Sequence, residues 1–278
     1  MVSGSDMHGT PITVTAQQEG KTPEQVAMEY HKLNSDSIER MGISFDLFSH
    51  THTEEHAEVA LSILKKLDDN GYIEPRISEE PYDPIANQFL PDRYVEGTCP
   101  HCNYDSARGD QCDDCGKTLD SKELINPRSK LNPDAKIEFR ETEHLFFKLS
   151  EFRDVLLEWL SEGKEHWRPS VINFTRNWLK EGLIDRAVTR DLDWGIEIPR
   201  EGYENKRMYV WFEAVMGYYS ASVHWAKNQG KPDEWKKWWE NEDSEHYYFM
   251  AKDNIPFHTI IWPAMLSGCG YKLSLIHI

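Results

Sequence analysis

The sequence predicts an α/β protein that is interrupted by a small cysteine-containing insertion, and three observations lead to this prediction. Short apolar runs that end in polar residues alternate with amphipathic helical segments, as in an open α/β sheet. The stretch from Pro75 to Lys136 is rich instead in Pro, Gly, Asp, Asn and Cys and has no sustained periodicity. Four of the five cysteines lie in that stretch as two close pairs.

The first element is a short buried strand that contains Val2 and Ser3. The polar residues Asp6 and His8 follow at its carboxyl end. Open α/β sheets bind their ligands at that edge, so we expect these two side chains near a site.

Two helices follow before residue 75. Thr22 is expected to cap the first helix, because Pro23 occupies the first helical position and Gln25 completes a capping box. Thr53 begins the second helix, and Gly71 is expected to end it.

Helical periodicity returns after the insertion, with large side chains that we expect in the core: Phe152, Val155, Leu156, Trp159 and Leu160, then Val171, Phe174 and Trp178. The runs 207–213 and 246–251 are short, apolar and aromatic, which predicts two buried strands. A helix is expected to open at Asn254 and Pro256, and Pro263 is expected to kink or end it.

Composition excludes several classes of protein. The net charge is −17, from 48 acidic and 31 basic residues, so the surface as a whole repels nucleic acids. The 39% hydrophobic content is far from that of a disordered chain. No stretch approaches the roughly 18 apolar residues of a membrane span, and no signal peptide is present, so we expect no membrane partner and a cytoplasmic location.

The cysteine pattern is Cys99-Pro-His-Cys102, nine residues, and then Cys112-Asp-Asp-Cys115. Each pair places two thiolates on one tight turn, and two such turns complete a tetrahedral zinc site. Four thiolates leave no open coordination position, so this pattern predicts one structural Zn²⁺ ion and no catalytic metal. His101 is not needed as a ligand.

No nucleotide-binding glycine loop, metalloprotease helix or serine-nucleophile motif is present. What remains are polar and aromatic residues near three strand ends: Asp6 and His8, then Trp211 and Tyr218, and finally Asp253, Asn254 and His258. Their recurrence predicts a pocket. An aromatic pocket with one carboxylate suits a small ligand that has a cationic amine and an apolar side chain.

Six segments of the chain together resemble the middle of the methionyl-tRNA synthetases, which are class I aminoacyl-tRNA synthetases. These segments are VSGSDMHGTP (2–11), FLPDRYVEGTCPHC (89–102), GDQCDDCG (109–116), TRDLDWGI (189–196), YVWFEAVMGYYSA (209–221) and AKDNIPFHTIIWPAML (251–266). They occur collinearly along the whole chain, which makes the resemblance specific.

The resemblance implies a Rossmann-type class I catalytic core, present in part as residues 1–74 and 190–278. It implies a connective insertion at residues 75–189, with the zinc knuckle at 99–115. The activity implied is that of a methionine–tRNA ligase, which uses ATP and Mg²⁺ to form methionyl-adenylate and then charges tRNA(Met).

The resemblance also implies roles for individual residues. Asp6 would hold the methionine ammonium, and Arg190 and Asp253 would support the site. Two further sets would line and close the side-chain pocket: Trp211, Ala214 and Tyr218, and then Asn254, His258 and Trp262.

The chain departs from the family at several positions. Val215, Glu213 and Ala251 stand where the family usually has proline, aspartate and glycine. A second zinc knuckle of many relatives has lost all four of its ligands, since the corresponding positions are Asp83, Ala86, Ser129 and Asn132. The resemblance therefore implies one zinc ion only.

The family's two ATP signatures, its HIGH-type motif and its KMSKS-type loop, are absent from the 278 residues. We therefore expect a fragment that does not catalyse efficiently by itself. Two alternatives stay open. The first is a class I synthetase for valine, isoleucine, leucine or cysteine. The second is a non-enzymatic zinc-ribbon module that binds RNA or protein.

Overall fold

The computed structural model describes residues 1–91, 94–109, 112–115, 119–241, 243–251 and 254–271, and the backbone of 275–277. The described chain divides into two compact units. The larger unit contains Met1–Glu74, Leu145–Thr189 and Trp194–Ile278, and the smaller unit contains Pro75–His144 and Arg190–Asp193. Of the predicted insertion at 75–189, residues 145–189 belong to the larger unit. Residues 190–193, predicted to begin the second part of the core, belong to the smaller unit.

The strands are β1 (Val2–Ser5), β2 (Leu47–His50), β3 (Ile73–Asp83), β4 (Gln88–Phe89), β5 (Val95–Thr98), β6 (Ala107–Arg108), β7 (Ile125–Ser129), β8 (Glu138–Phe147), β9 (Arg186–Ala187), β10 (Thr189–Arg190), β11 (Arg207–Met208), β12 (His246–Tyr247) and β13 (Leu275–His277). The α-helices are α1 (Thr10–Glu19), α2 (Pro23–Arg40), α3 (Glu54–Asp69), α4 (Arg153–Trp159), α5 (Pro169–Glu181), α6 (Val210–Glu213), α7 (Gly217–Asn228), α8 (Lys236–Trp239) and α9 (Trp262–Gly268). Short 3₁₀ turns cover Ser121–Glu123, Leu149–Phe152 and Ala214–Met216, and a π-helical turn covers Phe257–Ile261.

The larger unit begins with a β-α-α-β arrangement. Strands β1 and β2 pair in parallel, from Val2 opposite Leu47 to Ser5 opposite His50, and helices α1 and α2 connect them. The strand predicted at Val2 and Ser3 is confirmed, but its residues are partly exposed and not buried as expected. Because the two strands are parallel, their carboxyl ends lie side by side, and the segments that follow them face the same space.

Local sequence signals fix the ends of α2 and α3. The side chain of Thr22 accepts from the backbone N–H of Gln25, whose own side chain accepts from the N–H of Thr22, as the capping box predicted. Thr53 caps α3 by accepting from the N–H of His56. Gly71 follows α3 at φ 81°, a left-handed conformation that glycine adopts without strain.

The core of the larger unit is one continuous apolar cluster. Helix α3, strand β8 and helices α5 and α9 contribute fully buried side chains to it: Leu67, Phe147, Leu179, Trp262 and Met265. Burying one such side chain contributes about 1.5–3 kcal/mol, so this cluster is the main stabilising feature of the unit.

Both later strand predictions are wrong over most of their length. The run 207–213 forms a strand only at Arg207–Met208 and then turns into α6. The run 246–251 is a strand only at His246–Tyr247, and Phe249 is 86% exposed. A short apolar run fits a strand or one turn of a buried helix equally well, and periodicity cannot separate the two.

Two further expectations also differ from the structure. Pro263 does not end a helix but lies in the first turn of α9. The π-helical turn before it passes directly into α9. Val155 and Phe174, which we expected in the core, are 44% and 45% exposed.

The smaller unit contains two antiparallel arrangements. Strand β5 pairs with β6 on one side and with β7 on the other, and β3 pairs with β4. Cys99 directly follows β5, so the cysteine pairs lie at the end of this small sheet. None of the helices in the described parts of the chain is both long and apolar enough to cross a membrane.

Candidate functional site

A cavity of about 370 Å³ opens in the larger unit, at the carboxyl ends of β1 and β2. Helices α6 and α7 and the π-helical turn supply its other walls. Six of the residues predicted for the site line this cavity: Asp6, Trp211, Ala214, Tyr218, Asn254 and His258. The structure therefore brings together residues from three distant parts of the sequence.

Asp6 is the acidic group of the cavity, and the backbone around it is firmly held. The N–H of Met7 donates to Oγ1 of Thr51 at 2.9 Å, and the indole N–H of Trp194 donates to the carbonyl of Met7 at 2.8 Å. The N–H of His8 donates to Oδ1 of Asp6 at 3.4 Å. Asp6 is thereby fixed at the point where β1 ends.

The electrostatics at Asp6 favour a cationic ligand. Desolvation by the surrounding protein, and after it the negative charge of Glu213, raise the pKa of Asp6 to about 7. A cation bound against this carboxylate would relieve both effects, because it stabilises the ionised form. The side chain remains accessible to solvent, so a ligand can reach it.

The opposite part of the cavity is aromatic. The ring of Trp211 stacks on that of Phe257, with centroids 4.9 Å apart and an angle of 20° between the planes. Ala214 lines the same cavity, and its small side chain leaves room beside the indole. Such a surface is suited to an apolar or thioether side chain.

Tyr218 and His258 form the polar part of this wall. The hydroxyl of Tyr218 lies 2.9 Å from Nε2 of His258, and Nδ1 of His258 lies 2.8 Å from the carbonyl oxygen of Asn254. Burial lowers the pKa of His258, although its hydrogen bond to that carbonyl acts in the opposite direction. Burial also raises the pKa of Tyr218, so both side chains are uncharged at neutral pH.

The remaining predicted site residues are placed elsewhere. Trp262 is 0% exposed and is not among the cavity-lining residues; its indole N–H donates to the hydroxyl of Tyr248 at 3.3 Å. Arg190 belongs to the smaller unit. Asp253 lies outside the described residues.

Sequence reasoning treated Glu213 only as a departure from a family pattern, yet it is the most buried acidic group at the site. It is 0% exposed, and His8 and His56 lie 2.7 and 2.5 Å from its two oxygens. Burial alone would raise the pKa of Glu213, but the hydrogen bonds from these two histidines outweigh burial and lower it. The high density of histidine between His50 and His56 was the signal available in the sequence.

The four paired cysteines form a second candidate site, in the smaller unit. The sulfur atoms of Cys99, Cys102, Cys112 and Cys115 all lie within 4.8 Å of one another. Sγ of Cys99 is 3.9 Å from that of Cys115, and Sγ of Cys102 is 3.6 Å from that of Cys112. The backbone N–H of His101 donates to Sγ of Cys99 at 3.4 Å, which favours a thiolate. This cluster could hold a metal ion.

A known protein family matches nearly the whole chain. The family model described as tRNA synthetases class I (M) matches residues 1–276. The chain belongs to this family. The resemblance inferred from the sequence is confirmed, and so is the fold class of a partial class I synthetase core.

Curated relatives support the same assignment. The chain is 58% identical to a methionine–tRNA ligase of Dehalococcoides mccartyi over 270 residues. This match covers 97% of the chain and 48% of the relative. The chain is 54% identical to the methionine–tRNA ligase of Thermomicrobium roseum over 275 residues. This match covers 99% of the chain and 47% of the relative. The chain therefore spans about half the length of the curated relatives that it matches.

Solved structures show the same fold. Methionyl-tRNA synthetase from Mycobacterium tuberculosis bound by methionyl-adenylate superimposes with a TM-score of 0.69 at 21% identity, covering 100% of the chain and 48% of that structure. A second structure of the same enzyme in complex with methionyl-adenylate matches with the same TM-score at 23% identity.

Proposed function

We propose that the chain is the methionine-binding part of a methionine–tRNA ligase. The proposed reaction joins methionine to ATP, with Mg²⁺, to form methionyl-adenylate, and then transfers the methionyl group to tRNA(Met) in the cytoplasm. The observation that carries the proposal is one cavity with a carboxylate, Asp6, near the end of β1 and an aromatic surface on α6 and the π-helical turn.

The two parts of the cavity match the two parts of methionine. The carboxylate of Asp6 would pair with the ammonium group, and such a charge-assisted pair is both strong and directional. The stacked rings of Trp211 and Phe257 would contact the thioether, which is polarizable and packs well against aromatic surfaces. This division also explains why a raised pKa at Asp6 is tolerated: the bound ammonium restores the charged form.

Selectivity would come from the shape of the cavity and from its uncharged polar wall. Tyr218 and His258 form a hydrogen bond with each other, and both are uncharged at neutral pH. The wall therefore does not require a polar substrate side chain. A branched side chain such as that of valine or isoleucine would fill the space beside Ala214 differently from an unbranched thioether. One methylene group in a hydrophobic pocket is worth about 1–3 kcal/mol of discrimination.

We also propose that the cysteine cluster holds one structural zinc ion. Four sulfurs bound tetrahedrally at about 2.3 Å would lie about 3.8 Å from one another. The distances of 3.9 Å between the sulfurs of Cys99 and Cys115 and of 3.6 Å between those of Cys102 and Cys112 are close to that value. The metal would hold Cys99 and Cys102 against Cys112 and Cys115, and four thiolates leave no position at which it could activate water.

The experiment for the amino-acid site is isothermal titration calorimetry of the 278-residue chain with methionine and with 4-(methylthio)butanoate, which lacks the ammonium group. Methionine should bind at least tenfold more tightly, because only methionine can pair with Asp6. Asp6→Asn should remove that preference. The matched control is Asp36→Asn, which changes an exposed aspartate on α2 that pairs with Lys32.

The same titrations decide between the proposed function and its alternatives. Tighter binding of valine, isoleucine, leucine or cysteine than of methionine would assign the chain to another class I specificity. Salt-sensitive binding of RNA without any response to methionine would favour a zinc-ribbon module. Methionine-dependent exchange of pyrophosphate into ATP, measured on the complete protein, then tests the reaction itself.

A further inference from the structure

A buried carboxylate lies beside the cavity without lining it. Glu213 is 0% exposed and is the last residue of α6, the short helix that brings Trp211 to the cavity. Burying a carboxylate is unfavourable unless hydrogen bonds replace its water. The groups that replace this water connect Glu213 to the rest of the site.

Two buried histidines provide those hydrogen bonds. Nδ1 of His8 lies 2.7 Å from Oε1 of Glu213, and Nε2 of His56 lies 2.5 Å from Oε2. An ionised carboxylate only accepts, so each imidazole must direct an N–H at it. Glu213 therefore joins α6 to α3 through His56, and to the segment after β1 through His8.

His8, which hydrogen-bonds Glu213, also hydrogen-bonds Asp6. The two residues are separated by one position, and the backbone N–H of His8 donates to Oδ1 of Asp6. Nε2 of His8 lies 3.0 Å from Nδ1 of His52. Because Nδ1 of His8 directs its N–H at Glu213, Nε2 is the nitrogen that contacts His52. Both ring nitrogens of His8 are thus engaged, which fixes the backbone that places Asp6.

Charge as well as geometry connects Asp6 with Glu213. The negative charge of Glu213 is second only to desolvation among the causes that raise the pKa of Asp6. Three contacts lower the pKa of Asp6: those of the backbone N–H of His8, of the His8 ring and of the Thr51 hydroxyl. Glu213 itself has a lowered pKa, because the hydrogen bonds from His56 and His8 outweigh its burial, so it stays ionised at neutral pH.

We propose that Glu213 is a positioning residue for the ammonium site: acting through His8, its carboxylate holds Asp6 where an incoming amino group can reach it. This inference rests on the proposed function, since it takes Asp6 as the residue that binds the ammonium of methionine. Glu213 does not touch the substrate.

The first test needs no ligand. In the full 278-residue chain with ¹³C-labelled aspartate, the carboxyl carbon of Asp6 is followed by NMR as pH is varied. Glu213→Gln removes the negative charge and should shift the midpoint of Asp6 from about 7 to a lower pH. Glu201→Gln, the same change at an exposed glutamate, should leave the midpoint in place. An unchanged midpoint in folded Glu213→Gln would overturn the inference.

A second pair of variants tests the connection through His8 and covers the case in which Glu213→Gln does not fold. Asparagine can direct its Nδ2–H where the Nδ1–H of His8 points, whereas alanine cannot. At pH 8, where Asp6 is mostly ionised, His8→Ala should weaken methionine binding by about tenfold, and His8→Asn should recover most of that loss. Equal dissociation constants for the two variants would contradict the connection.

The two readouts separate this inference from the proposed function. If the unmodified chain does not bind methionine, the proposed function fails. The effect of Glu213→Gln on the titration of Asp6 would still decide whether the network controls that carboxylate.

Discussion

The hydroxyl of Tyr218 donates to Nε2 of His258 at 2.9 Å, and this bond determines which nitrogen of the imidazole carries the proton. Nδ1 of His258 faces the carbonyl oxygen of Asn254 at 2.8 Å, and a carbonyl can only accept. Nδ1 is therefore protonated and Nε2 accepts from the tyrosine. Both bonds fix the orientation of a neutral ring in the cavity wall.

Tyr218→Phe should weaken methionine binding by about tenfold. The variant keeps the ring but leaves Nε2 of His258 without its donor, and an unsatisfied, partly buried acceptor costs about 1–3 kcal/mol. The imidazole can then rotate or take up a water molecule inside the cavity. Calorimetric titration of the variant with methionine measures the effect. The control is Tyr247→Phe, which removes the hydroxyl of an exposed tyrosine that bonds Glu245. Identical affinities for the two variants would show that the hydroxyl of Tyr218 has no such role.

Methionine binding should weaken as pH falls below about 7. The pKa of Asp6 is raised to about 7, so the free protein takes up a proton there as pH decreases. Binding an ammonium group requires the ionised carboxylate and must release that proton, which reduces the apparent affinity by up to about tenfold per pH unit below the pKa. Titrations between pH 5.5 and 8 in buffers of different ionisation enthalpy measure both the affinity and the proton release.

Asp6→Asn serves as the control for this pH dependence. The variant has no carboxyl to titrate at that position, so its weaker affinity should be nearly constant from pH 5.5 to 8. If the unmodified protein showed the same flat profile, Asp6 would not be the group that binds the ammonium.

The sequence predicted those parts of the site that depend on local signals or on a specific spacing. The capping box at Thr22 and the cysteine pairs 99–102 and 112–115 each place their atoms through a single turn of backbone. Asp6, Trp211 and Tyr218 were grouped because each lies near the end of a predicted strand, and all three line one cavity. They do so although 210–213 is helical and not a strand.

The buried network around Glu213 could not be predicted in the same way. It joins residues 157 and 205 positions apart in the sequence, from α3 and from the segment after β1. A glutamate in the apolar run 207–213 indicates nothing about its partners, because tertiary packing alone selects them. The exposure of Phe249 and Phe174 was missed for a similar reason: hydrophobic residues on a surface leave no signal in the sequence.

Cys102→Ser should abolish stoichiometric zinc binding. A serine hydroxyl at neutral pH is not ionised and replaces a thiolate poorly, so three sulfurs would remain where the site requires four. We expect one zinc per chain in the unmodified protein and less than about a tenth of that in the variant after dialysis, measured by mass spectrometry of the metal. Cys269→Ser is the matched control, because this cysteine lies outside the cluster, with its thiol 3.8 Å from the carbonyl oxygen of Ile63. Two zinc ions per unmodified chain, or full retention in Cys102→Ser, would contradict a single site with four sulfurs.

Gly268→Ala should destabilise the larger unit without changing its site. A Cβ at this position in α9 would lie 2.6 Å from Cδ2 of Leu67 and 2.9 Å from Cζ of Phe152, and both of those side chains are buried in the core. Neither can move aside without displacing its own neighbours, and overpacking of this kind costs about 1–3 kcal/mol. The free energy of unfolding in urea measures the loss. Gly217→Ala is the control, because its added Cβ would meet only Thr51, at 3.7 Å, and should leave the unfolding midpoint nearly unchanged. Equal midpoints for the two variants would mean that α9 can shift away from α3, and that this part of the core is less tightly packed than the contacts of Gly268 require.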